Sequence, residues 1–147
     1  MAPTPSDPFE LVRFVEAQDD VIDEVRAELS AGRKASHWMW YVFPQIAGLG
    51  SSIMAQGYAI RGRREAQAYL AHPVLGPRLR ELTALVTSIQ GKTAHDIFGS
   101  PDDLKFRSCV TLFAAIAPRE AVFRQALDRF FDGQDDQKTL ELLASAP

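Results

Sequence analysis

A chain of 147 residues with 46% hydrophobic and 24% charged side chains has the length and balance of one globular domain, which excludes a disordered segment or a fibrous repeat. Its net charge of −3 argues against a nucleic-acid binder, because neutralising many phosphates takes a basic excess. The single cysteine, Cys109, rules out an internal disulfide and a zinc site built on several thiolates.

Residues 1–8 hold neither the basic nor the apolar segment that opens a signal peptide, and no apolar run reaches the length of a membrane span. A cytoplasmic location follows as the expectation. The first helix signal is Asp7-Pro8-Phe9-Glu10, with Asp7 as cap, Pro8 in the first turn and Leu11, Phe14 and Val15 at helical spacing. Asp19 or Asp20 opens a second helix, with Val21, Val25 and Leu29 on one face and Gly32 as its stop. The aromatic run 36–44 is too short for periodicity to separate helix from strand. A short helix capped by Ser36 is expected, because every neighbouring segment is helical.

Residues 45–52, with Gly48 and Gly50, read as a loop. Short helices follow over about 52–60 and 63–71, the second ending before His72-Pro73. Past a turn at 73–77, a longer helix carries Leu79, Leu82, Val86 and Ile89 and closes at Gly91. Thr93 caps a turn that ends at Phe98-Gly99. Ser100-Pro101-Asp102-Asp103 is the sharpest helix start, with Ser100 as cap, proline in the first position and two acids in the first turn. A helix with Phe123, Leu127 and Phe130 or Phe131 stops at Gly133, and Asp135 caps a last one with Leu140 and Leu143. The sum is an all-α single domain, residues 1–147, of about eight or nine helices. Residues 1–6 and 145–147 are expected to fray.

Three constellations are candidates for chemistry. Residues 32–45 hold both tryptophans and one of the three histidines beside two cations. Trp38 and Trp40 suit stacking on a base, Arg33 or Lys34 suits a phosphate, and Ser36, His37 and Gln45 supply polar contacts. The same residues equally suit an aromatic core element with a solvated helix end, and the sequence leaves both open. On the helix after Ser100, Lys105 and Arg107 are cations beside an apolar face, fit to line an anion pocket. Asp103 and Arg107 also stand at the spacing of a plain surface ion pair. Glu65, His72 and Tyr58 form the third group, a carboxylate and an imidazole with acid–base capacity only if their helix runs unbroken. With one cysteine and three scattered histidines, no metal site and no cofactor is expected. Walker, dinucleotide and nucleophile-elbow motifs are absent.

Gly32-Arg33-Lys34, Ser36-His37-Trp38-Met39-Trp40, Phe43-Pro44-Gln45, Gly48-Leu49-Gly50, Tyr58-Ala59-Ile60, Glu65-Ala66, His72-Pro73-Val74-Leu75-Gly76 and Asp103-Leu104-Lys105-Phe106 follow one another in an order that resembles a bacterial family known only as domain of unknown function 1810. The resemblance spans about residues 9–143. It implies a mainly helical protein with an arrangement likened to armadillo repeats and no assigned activity. Some members carry the label calpastatin, which fits poorly with a compact, aromatic-rich chain. Asp103-Leu104-Lys105-Phe106 with Leu112, Phe123 and Leu127 is also faintly similar to the C-terminal helices of NADAR domains, which implies N-glycosidic cleavage of ADP-ribosyl or related nucleotides.

Two functional expectations follow. One is a pocket for a small anionic, nucleotide-like ligand, lined by Lys34, Ser36, His37, Trp38, Trp40, Gln45, Tyr58, Lys105 and Arg107; its enzymatic form uses Glu65 or Asp103 to stabilise an oxocarbenium ion. The other is a non-enzymatic helical module for protein–protein interaction, with the aromatic run as core. Neither nucleic acid nor membrane is an expected partner.

Overall fold

The computed structural model describes residues 7–146. The N-cap of the first helix is Leu11, not Asp7 as expected, but from four residues upstream the Asp7 carboxylate accepts the backbone N–H of Leu11 (2.8 Å) and Val12 (3.0 Å). The chain first turns through Glu10, at φ +53°, so α1 (Val12–Asp19) starts a turn later than the Asp7-Pro8 signal predicts. α2 (Ile22–Ser30) ends as its glycine predicts: with Gly32 at φ +75°, Arg33 N–H donates to the Glu28 carbonyl and Gly32 N–H to that of Leu29.

The aromatic run contains one helical turn, α3 (Met39–Val42), but Ser36 does not cap it; the turn starts at Trp38 with no side-chain cap. Residues 45–52 are loop, joined to residue 60 by a parallel bridge: Ile60 N–H donates to the Gln45 carbonyl (2.8 Å) and Ala47 N–H to that of Ile60 (2.7 Å). Ser52 caps α4 (Ile53–Gly57). α5 (Arg63–Ala71) ends before His72, whose Nδ1 accepts the N–H of Val74 (3.1 Å) and Leu75 (3.2 Å). Those bonds start α6 (Leu75–Thr87) earlier than expected, with Pro77 in its first turn, where a missing N–H costs nothing.

The Thr93 segment, read as a turn, is a helix with a full capping box, α7 (Ala94–Phe98). α8 (Asp102–Ile116) follows, with Pro101 rather than Ser100 in the cap position and no side-chain cap. α9 (Ala121–Phe131) stops at Asp132 and Gly133, both left-handed. Asp136, not Asp135, caps α10 (Gln137–Ser145) by accepting Thr139 N–H. The described residues thus form ten helices and no strand, against the eight or nine expected. Ser145, expected to fray, belongs to α10, while residues 1–6 and 147 lie outside the described residues.

All of this closes on one core. α8 packs against α5, α7, α9 and α10, and α6 against α2, α5 and α9. A helix apolar nearly all round belongs inside, and α8 buries every residue from Ser108 to Ala114. Phe106 meets Phe43 edge-on (5.1 Å between centroids) and stacks on Phe98 (4.8 Å), fastening α3 and α7 to α8. Gln18 ties α1 to its neighbours, its amide donating to the Tyr41 carbonyl and the Tyr69 hydroxyl. Among the described residues, no helix is long and apolar enough to cross a membrane.

Candidate functional site

The tryptophan run divides into a buried half and an open half. Glu28, in the last turn of α2, collects the buried half. Its Oε1 accepts the N–H of Ala35 (2.6 Å), the N–H of Ser36 (2.9 Å) and the Trp38 indole N–H (3.0 Å); its Oε2 accepts the Ser36 hydroxyl (2.7 Å). Partial desolvation pushes the Glu28 carboxyl up, but these bonds outweigh it and hold the group below its ordinary value. Trp38 is 1% exposed. Lys34 is almost as buried, with its ammonium 2.8 Å from Asp102 Oδ2 and 5.0 Å from the Trp38 ring centroid. Lys34, Ser36 and Trp38 therefore join α2 and α3 to the start of α8 rather than face a ligand. His37 is exposed beside them.

Trp40 belongs to the open half. It is partly exposed, and the Lys105 ammonium stands 5.7 Å from its ring centroid. Lys105 lines a groove of about 410 Å³ between the loop after Gln45 and the first turns of α8. Gln45, Leu49, Ser51 and Ser52 come from the loop side, and Leu104 and Ser108 from α8. Gly50 makes the loop possible: a Cβ there would lie 2.6 Å from that of Ala55. Asp136 also lines the groove, but its Oδ2 already accepts the Ser108 hydroxyl (3.1 Å) and the N–H and hydroxyl of Thr139. Asp102, 3.6 Å from the Lys105 ammonium, is shared with Lys34. Lys105 is thus the cation of the groove.

Other candidates sit apart from it. Arg107 donates to the carbonyls of Gln134 (3.1 Å) and Asp135 (2.9 Å), holding the connection between α9 and α10. Asp103 does not pair with it; Asp103 Oδ2 lies 3.4 Å from His95 Nδ1. Tyr58 packs on Tyr41 and Phe14, at 5.2 and 5.7 Å between centroids.

Glu65 is fully buried in the first turn of α5 and is held by two arginines. Its Oε2 accepts Arg13 Nη2 (2.7 Å), and its Oε1 accepts the backbone N–H and Nε of Arg61 (both 3.1 Å). Arg13 in turn spends every donor it has, on Glu65 and on the carbonyls of Phe9, Glu10, Gly57 and Ala59. The Glu65–His72 pair does not form, because His72 is occupied at the start of α6. Glu65 instead borders a separate cavity of about 370 Å³ with Pro8, Phe9, Arg61, Gly62 and Arg64. Among the described residues, no group of three or more His, Cys, Asp or Glu is placed to hold a metal ion.

Of the residues singled out from the sequence, the fold places Gln45 and Lys105 in one groove lining, with the Trp40 ring 5.7 Å from the Lys105 ammonium. Sequence reasoning missed Glu28 and the arginines around Glu65. The triplet Arg61, Arg63 and Arg64 was the available signal for the latter.

The model of a family described as a protein of unknown function, DUF1810, matches residues 8–143. The chain is also similar to a crystal structure of the conserved hypothetical protein Rv1873 from Mycobacterium tuberculosis. Identity is 51% and the TM-score 0.93, over 95% of this chain and 100% of that one. No curated protein matches it.

Proposed function

The chain belongs to the DUF1810 family, and from that premise we propose that it binds a small anionic, nucleotide-like ligand in the groove beside Lys105. The observation that carries this reading is Lys105, which lines the groove while its ammonium stands 5.7 Å from the ring centroid of the partly exposed Trp40, itself just outside the lining. A cation flanked by an aromatic face suits a phosphate joined to a planar base. The groove, at about 410 Å³, falls in the range of small-molecule sites, and Leu49 and Leu104 offer apolar cover while Gln45 offers an amide.

The enzymatic form, N-glycosidic cleavage, asks for a carboxylate near the developing oxocarbenium charge. Glu65 and Asp103 both lie outside the groove lining, so the proposal is one of binding. Tryptophan fluorescence titrated with ADP-ribose, NAD and GTP tests it. Trp38 is sealed in the core, so a ligand in the groove should move the Trp40 signal saturably. Lys105→Ala should weaken that binding at least tenfold. If none of the three compounds moves the signal, the proposal fails.

One observation favours a second reading, a module for protein–protein interaction. Ile53 is 89% and Leu104 58% exposed, both next to or on the groove. Ile53 lies outside the groove lining, so Ile53→Asp would then abolish partner capture without altering nucleotide titration.

A further inference from the structure

The densest positive charge of the chain is not in the groove but around Glu65, where Arg61, Arg63 and Arg64 fall within four positions. The cavity of about 370 Å³ there shares no lining residue with the groove. Its carboxylate, Glu65, is buried and already neutralised by Arg13 and Arg61. Arg64 has no hydrogen bond or ion pair among the described residues, and Arg61 keeps an Nη1 without one. Two guanidinium groups, Arg61 and Arg64, line the cavity against one carboxylate and leave its lining net positive. Phe9 and Pro8 give it an apolar side.

We propose that this cavity is a second binding site, for the phosphate of an organic phosphate ester, gripped by Arg61 and Arg64 with Phe9 against the ligand's apolar body. The physical reasons are specific. A guanidinium presents paired N–H donors at the spacing of phosphate oxygens and stays charged at any physiological pH. Arg61 is preset for this task, because Glu65 fixes its Nε and its backbone N–H while its side chain as a whole stays 61% exposed. Glu65 is itself clamped by Arg13, so the arginine is held by a buried, saturated network instead of a mobile surface chain. The role left for Glu65 is to position Arg61.

The test is a ¹⁵N–¹H titration of the full chain with ADP and with inorganic phosphate at about physiological ionic strength, where diffuse surface attraction is screened. Saturable shifts at the backbone amides of Gly62 and Arg64 are expected, tighter for ADP than for phosphate. Arg64→Gln removes no described contact, so it should keep the fold and weaken binding at least fivefold. Arg61→Gln should weaken it as well. Lys105→Ala should leave these amides titrating as in the unmodified chain, which separates this site from the groove. Shifts that never saturate, or an Arg64→Gln chain that binds like the unmodified one, would overturn the site. Equal affinity for phosphate and ADP would overturn the role of Phe9.

Discussion

Glu28 accepts four bonds from the loop that follows α2, and a carboxylate accepts them best while ionised. Its folded value lies below the ordinary 4.5. The stability it contributes is therefore fully present above that value and is lost as pH falls through the lower, folded one. Glu28→Gln removes the charge and replaces one carboxylate oxygen by an NH₂, so either the three N–H donors or the Ser36 hydroxyl loses its acceptor, which should cost about 1–3 kcal/mol near neutral pH. Urea unfolding at about pH 7 and about pH 3 should show the gap between the two proteins narrowing in acid; a constant gap would remove Glu28 from that role. The sequence pointed to Ser36 and Trp38 because indoles and small hydroxyls stand out in composition. It did not point to Glu28, since one acid on a solvated-looking helix carries no local mark of four partners brought in by the chain's return.

The junction of α5 and α6 sets a stricter condition. A Cβ on Gly76 would lie 2.1 Å from the Leu70 carbonyl oxygen, which is backbone and cannot turn aside. Gly76→Ala should therefore cost about 3 kcal/mol or more, since relief requires the two helices to part. His72, four residues earlier, caps the same helix through Nδ1. His72→Ala should lose about 1 kcal/mol and His72→Asn, which keeps a short acceptor, much less. Thermal melts of the three variants check both statements. Some helix ends marked by one strong residue were readable from the chain: Gly32, Thr93 and Gly133 work as their types predict, whereas α6 stops at Thr87, short of the Gly91 expected to close it. Ends offering two neighbouring choices were not. Asp136 prevails over Asp135 because Ser108 of α8 reaches it, and that contact exists only after α8 and α10 have packed. The groove was half legible for the same reason: Gln45, Trp40 and Lys105 were marked by type, but their convergence depends on how residues 45–52 fold onto α8.

At the scale of the whole molecule, α8 is both the centre of the core and a wall of the groove, so ligand binding and global stability should be linked. Cys109 reports on that link. It is fully buried in the middle of α8, and burial pushes its thiol well above the ordinary value, so the native chain holds almost no reactive thiolate. A thiol reagent can reach it only when the helices around α8 separate. Where labelling is slow against reclosing, its rate follows the population of the open form. A ligand that binds only the folded groove lowers that population in proportion to its saturation, so at a hundred times its Kd it should slow Cys109 labelling about a hundredfold. At the same ligand concentration Lys105→Ala should cut the protection to about tenfold or less while leaving the rate without ligand nearly unchanged, because Lys34 still pairs with Asp102. Labelling at the speed of a free thiol would show that α8 opens locally, and the coupling between groove and core would then be absent.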